Sequence, residues 1–237
     1  MLSRQTCVGV LLFLIVFAPP LRSEQLDVGV GRIIITPNPL LPVSGGMGPT
    51  APATEKQGEL SARAMVLRSG QTTVAFVALD LLGFPSVLCD RVRAMVPRIP
   101  SANILIGSTH THSAPDCYAF PDRNGEHTGD LKYIDWVCRN AAEAINEAIE
   151  NLRPAQLKIG TGEAKGRIAY NYYAPDLFDR RMSVIQAAES DGKTIGTLVN
   201  YAIHPEVLGS RLGIVSPDLI GPLRDRWNRR RVEWRCS

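Results

Sequence analysis

Over residues 132–152, apolar side chains recur at the spacing of a helix lying on a core: Ile134, Val137, Ala141, Ile145, Ala148 and Leu152. Steps of three and four put them on one stripe. Arg153-Pro154 ends the run, because proline lacks the amide proton that a continuing helix needs. A helix of this length with one apolar face must find a second layer to cover it. The chain supplies strands for that layer. Residues 26–35 alternate and then run apolar into Thr36-Pro37, and residues 60–67 and 73–79 flank Ser69-Gly70-Gln71 as a predicted hairpin. The second arm is almost wholly apolar, as expected of a strand covered on both faces. Residues 103–107 predict another buried strand. Residues 155–160, 182–188 and 194–202 predict three more, with Asp191-Gly192 turning between the last two. Shorter helices are predicted over 86–96, with Val87, Leu88, Val92 and Met95 on one side, and over 217–227. Residues 38–56, rich in Pro, Gly, Ser and Thr, read as a long loop. Strands interleaved with helices predict a layered α/β or α+β architecture, mixed sheets flanked by helices.

The first 23 residues read as something other than fold. Arg4 precedes an apolar run over 8–18, Pro19-Pro20 breaks it, and small Ser23 suits a cleavage site. That is the pattern of a signal peptide. The run falls short of the ~20 residues a membrane span needs, and no later segment reads as transmembrane. The expectation is a secreted or periplasmic protein whose folded part covers residues 24–227.

The charge balance needs dividing before it means anything. The 26 basic and 23 acidic residues give +3, but Arg4 and Arg22 belong to the signal. From Arg224 onward six arginines face only Asp225 and Glu233. The body between is slightly acidic, which excludes a general nucleic-acid-binding surface. Export permits disulfides among Cys89, Cys117, Cys138 and Cys236, with three possible pairings that spacing does not rank. Cys89 and Cys138 fall in helical patterns and read as buried free thiols.

Two strands run straight into histidines. Ile104-Leu105-Ile106-Gly107-Ser108-Thr109 leads to His110-Thr111-His112-Ser113-Ala114, and Val199-Asn200-Tyr201-Ala202-Ile203 leads to His204-Pro205-Glu206. In extended backbone, residues i and i+2 project to one side, so His110 and His112 share a face. Neutral imidazole is a common zinc ligand. Only four histidines exist in the chain, and two fall within three residues. A metal-dependent hydrolase site is the reading, with His204 brought in from a distant strand. The paired histidines are also similar to the first ligands of amidohydrolases and metallo-β-lactamases, although the latter expect Asp where Ala114 stands. Glu206 and Asp218 are the nearest carboxylates for a third ligand, in a small complete metallohydrolase. Their ordinary readings are a solvated loop acid and a helix-start acid beside Pro217. Asp80 reads as a strand-end cap and His127 as an exposed loop residue.

Taken in order, Gly29-Val30-Gly31-Arg32, Ile35-Thr36-Pro37, Ala62-Arg63-Ala64, Leu79-Asp80-Leu81-Leu82-Gly83, Thr109-His110-Thr111-His112-Ser113 and Ala202-Ile203-His204-Pro205 resemble the N-terminal part of the neutral/alkaline (non-lysosomal) ceramidase family. The resemblance implies an exported zinc amide hydrolase that cleaves the N-acyl bond of ceramide or a related lipid amide. It implies His110 and His204 as Zn2+ ligands, and His112 as the catalytic histidine that positions or polarises the reacting groups. The family's remaining ligands (a Glu and a Tyr) and its catalytic Ser come from later sequence, so this chain is expected to be a partial catalytic domain, inactive alone. Other departures are Ala114, where the family has Gly, and Asn171-Tyr172-Tyr173-Ala174-Pro175, where the family has an arginine beside the Asn. Ser216, in Val215-Ser216-Pro217, is not assigned as a nucleophile, because it follows His204 too soon. Residues 228–237 turn abruptly basic and read as interrupted sequence rather than a binding arm. The rival to an enzyme is a non-catalytic exported binding module.

Overall fold

The structure, a computed structural model, describes residues 24–45, 51–121, 124–166 and 168–229. The predicted signal peptide, Cys236 and residues 230–237 of the basic tail lie outside the described residues. In chain order the elements are β1 (Leu26–Ile34), β2 (Val43–Ser44), β3 (Glu55–Lys56), β4 (Ser61–Ser69), β5 (Thr72–Leu79), α1 (Ser86–Ala94), β6 (Ile104–Ser108), β7 (Ala114–Pro115), α2 (Leu131–Glu150), β8 (Arg153–Pro154), β9 (Gln156–Glu163), β10 (Arg181–Ala188), β11 (Thr194–Tyr201), β12 (Ile214–Val215) and α3 (Ile220–Arg229). The mixed α/β architecture is as expected.

The main sheet has the order β6-β5-β4-β1-β8, with β5 and β6 parallel and the other pairs antiparallel. The α2 helix covers one face of it. Asp130 starts α2 by accepting the Lys132 and Tyr133 amides, which removes two of the unpaired donors at a helix N-terminus. Val137, Ala141, Ala144, Ile145 and Ala148 of α2 are fully buried against Ala62, Val66, Ala75 and Leu79 of β4 and β5. Gly29 and Gly31 of β1 face the helix backbone directly, close to the Ala148 and Ala144 carbonyls.

On the opposite face lies a three-stranded antiparallel sheet, β11-β10-β9. Val28 and Met65 of the main sheet meet Ala187 and Ile195 there in a second, smaller core. Gly196 permits the close crossing, since a Cβ at that position would lie 2.6 Å from Val30 Cγ1. The predicted burial of β5 on both faces holds in part: Ala75, Val77 and Leu79 are buried, while Val74, Phe76 and Ala78 are half-buried.

Helix α1 presents a different face from the one predicted. Leu88, Cys89 and Val92 are buried, whereas Val87 is 64% exposed and Met95 lies beyond the helix end. With only nine residues, α1 offers one narrow stripe to the core, and that stripe is rotated to include Cys89. Cys89, Cys117 and Cys138 are all buried free thiols.

Tyr133 ties α2 to the end of β1. Its buried hydroxyl donates to Ile35 O at 2.9 Å, and burial holds the phenol well above its ordinary pKa. Tyr133→Phe should therefore destabilise the fold by about 1–2 kcal/mol, because the carbonyl is left without its donor. Urea denaturation measures this, and an unchanged midpoint would refute it.

Candidate metal centre

The site forms where β5 and β6 end side by side. Leu79 O accepts the Thr109 amide at 2.8 Å, and Leu81 O accepts the His110 amide at 3.0 Å. The strand that carries the histidines is thus pinned to its neighbour up to His110 itself. His110 then turns sharply, with φ of 68°, a left-handed value that costs a residue with a Cβ and is commonly held at functional positions.

Beyond the turn, the 111–113 segment is clamped against the chain that follows β11. His112 N donates to Pro205 O at 3.2 Å, Thr111 Oγ1 to Ser216 O at 2.8 Å, and Ser216 N to Ser113 O at 2.7 Å. Two short strand pairs, β2 with β7 and β3 with β12, fasten the surrounding loops. Through these contacts His204 arrives beside residues 92 positions earlier in the chain.

The three imidazoles converge. His112 Nε2 lies 3.4 Å from His110 Nε2 and 3.1 Å from His204 Nε2. The ring centroids are 4.4–4.9 Å apart, and one potential ligand atom from each residue lies within 4.8 Å of the others. The outward nitrogens face oxygen. His110 Nδ1 donates to Leu82 O at 2.6 Å, which leaves its Nε2 as a lone pair. Zinc–nitrogen bonds of about 2.0–2.1 Å in a tetrahedral arrangement place neighbouring nitrogens roughly 3.3 Å apart. The spacing and chemistry of this donor set fit a metal ion.

Exposure grades across the cluster. His112 is 8% exposed and His110 half-buried, while the His204 side chain is 55% exposed. Burial pulls the His112 pKa below its ordinary value, against the opposing pull of the Glu206 carboxylate; His204 and His110 lower it further. The same burial favours the neutral form of the His112 imidazole.

Other sequence candidates have structural roles. Among the described residues, neither Glu206 nor Asp218 belongs to the metal-ligating group. Asp218 is buried with φ of 53°, and its carboxylate accepts the Leu208 and Leu219 amides. It organises the loop before α3. The Ser216 hydroxyl is 2% exposed and accepts the Asp218 amide, so it is a turn residue. His127 is exposed, bridged to Pro121. The Asn171 side chain accepts the Tyr173 and Ala174 amides in a turn that leaves Tyr172 and Tyr173 exposed.

Glu206 is the residue that sequence reasoning undervalued. It is half-exposed, yet its two oxygens lie 3.4 Å from His112 Nδ1 and 3.2 Å from His204 Nδ1. Its place two residues after His204 was visible; its reach to His112 was not.

No protein-family model matches the chain. By sequence it is 25% identical over 151 residues to neutral ceramidase of Pseudomonas aeruginosa, covering 58% of this chain and 22% of that protein. It is 24% identical over 144 residues to neutral ceramidase B of Dictyostelium discoideum, covering 54% and 20%. Its fold matches the crystal structure of the Pseudomonas aeruginosa neutral ceramidase with a TM-score of 0.71 at 18% identity, over 90% of this chain and 37% of that one. The chain is similar to the neutral ceramidases over part of their length. A ceramidase complexed with C2 matches equally well, with a TM-score of 0.71 at 22% identity, over 88% of this chain and 36% of that one. The chain spans about a fifth of the length of the curated neutral ceramidases it matches. No helix among the described residues is long and apolar enough to cross a membrane.

Proposed function

We propose that the chain is part of an exported zinc-dependent amide hydrolase acting on ceramide or a related lipid amide. In this reading His110 and His204 hold the ion, and His112 moves protons beside it. The observation that carries the proposal is the convergence of three Nε2 atoms from two distant strand ends, with His110 Nδ1 committed to a carbonyl. The ceramidase relatives supply the substrate class. Zinc, when bound, supplies Lewis acidity toward an amide carbonyl and an attacking oxygen. The protein's part is to orient His110 through Leu82 O and to keep His112 neutral by burial, ready to take a proton. The resemblance assigns the nucleophilic Ser and the Glu and Tyr ligands to residues other than these three histidines, which on their own are expected to give little or no turnover.

Calorimetric titration of the mature chain with Zn2+ tests the site. One equivalent should bind. His110→Ala and His204→Ala should each weaken binding by more than about 100-fold, beyond the 10–100-fold typical of losing an outer contact. His112→Ala should keep the ion within roughly ten-fold of wild type, the range of an outer contact. If His112→Ala loses zinc as completely as His110→Ala, His112 is a ligand and the proton-handling role fails. Little or no fatty acid should be released from a short-chain ceramide, and any release should be abolished by chelation. Release that ignores the chelator would overturn the metal mechanism, and no zinc binding at all would favour a binding module.

A further inference from the structure

Each of the three imidazoles turns one nitrogen inward and the other outward, and the outward partners differ. His110 Nδ1 has the Leu82 carbonyl. The Nδ1 atoms of His112 and His204 both face a single side chain, Glu206, at 3.4 Å from Oε1 and 3.2 Å from Oε2 respectively. His112 Nδ1 is buried and makes no well-formed hydrogen bond; the Glu206 oxygen is a long contact, and the Gly45 backbone is the other polar group that acts on this ring. A carboxylate only accepts, so it favours the tautomer with the proton on Nδ1 in both rings. Both Nε2 atoms are then lone pairs aimed at the point where His110 Nε2 also aims.

The geometry points to Glu206 as the positioning residue of the centre: one carboxylate that holds His112 and His204 together, as the Leu82 carbonyl holds His110. This inference rests on the reading of the three histidines as a metal site. It also assigns a role to the loop itself. The Glu206 amide donates to His204 O at 3.0 Å, so the turn after His204-Pro205 folds the carboxylate back toward the ring two residues earlier. His112 N is fixed to Pro205 O in the same turn. The carboxylate and the two rings it orients are therefore carried on one hydrogen-bonded unit. Outer-shell carboxylates of this kind raise ligand basicity and fix ring orientation, and their loss commonly weakens metal binding 10–100-fold. Glu206 is a positioning residue here and not a ligand, because its oxygens meet the Nδ1 side of the rings while the inward space lies on the Nε2 side.

The test uses the whole chain with 15N-labelled histidine, metal-free, at about pH 8, above the ordinary imidazole range. In wild type, His112 and His204 should both show the Nδ1–H tautomer. In Glu206→Ala, His204 should revert to a tautomer mixture. Glu206→Gln, with a single acceptor oxygen, should retain one of the two Nδ1–H signals. Zinc affinity should fall 10–100-fold in Glu206→Ala and recover partly in Glu206→Gln. The Co2+-loaded protein should keep its visible absorption spectrum in both variants, because the ligand set is unchanged. A changed Co2+ spectrum would make Glu206 a ligand and overturn the proposal. Wild-type tautomers that persist in Glu206→Ala would overturn it as well. If wild type binds no metal, the hydrolase reading fails, while the tautomer measurement still decides the role of Glu206.

Discussion

Replacing Asp80 with alanine should destabilise the fold by about 3–5 kcal/mol, the cost of leaving a buried charge without its partner. Asp80 is fully buried at the end of β5. Its carboxylate accepts Ser61 N at 2.9 Å, Ser61 Oγ at 2.8 Å, and Arg224 Nη1 at 2.8 and 2.7 Å. Arg63 joins the same cluster through Ser61 Oγ at 3.0 Å, and its pKa is pulled down to about 10, first by burial and then by the charge of Arg224. Two guanidinium groups thus face one carboxylate. Without it, both half-buried cations stay close together, with only the Asp225 carboxylate left to act on Arg63. The effect should reach the metal centre. Asp80 sits between Leu79 and Leu81, whose carbonyls hold the Thr109 and His110 amides, so zinc affinity should fall alongside stability. Pairing Asp80→Ala with Arg224→Leu separates charge from packing. The double variant should recover part of the loss, because removing both partners also removes the unpaired charge. If single and double variants denature at the same urea concentration, the ion pair contributes nothing.

That cluster also shows where sequence reading stopped. The strand ending at Leu79 and the final helix were both visible from local apolar spacing. The pairing of Asp80 with Arg224, across 144 residues, was not. Periodicity reports which face of an element is apolar, and it carries no information about which distant element covers that face. The same limit explains the site. His110 and His112 were legible because they lie two apart at a strand exit, and His204 because another strand ran into it. The hydrogen bonds that bring the two exits together, His112 N to Pro205 O and Thr111 Oγ1 to Ser216 O, belong to loops without a repeating pattern. Glu206 looked like a solvated acid, and half of its surface is solvated. Its other half touches two rings, a fact only the folded chain contains. The face of α1 was misread for a related reason. In a nine-residue helix, moving the apolar stripe by one position replaces Val87 with Cys89, and composition favours neither.

Gly31→Ala should be among the most damaging single-methyl additions in the fold, at about 3 kcal/mol, the upper range for overpacking a core. Residues 29 and 31 of β1 point to the same side of the sheet, the side covered by α2. A Cβ at Gly31 would overlap the Ala144 carbonyl oxygen and lie 2.9 Å from the Ala148 nitrogen; at Gly29 it would overlap the Ala148 oxygen. These are backbone atoms of a helix, which cannot swing aside as a side chain can. The helix must lift, and the fully buried Ala141, Ala144, Ile145 and Ala148 lose contact with the sheet as it does. The small residues on α2 and the glycines on β1 are therefore one feature, a close seat of helix on strand. Gly107 in β6 is the internal control. No atom lies within 4 Å of a Cβ built there, and glycine in a strand is intrinsically unfavourable, so Gly107→Ala should be neutral or slightly stabilising. Thermal denaturation should place Gly31→Ala roughly 6–12 °C below wild type for a chain of this size. Equal midpoints for Gly31→Ala and Gly107→Ala would show that the helix is not seated on the strand at that distance.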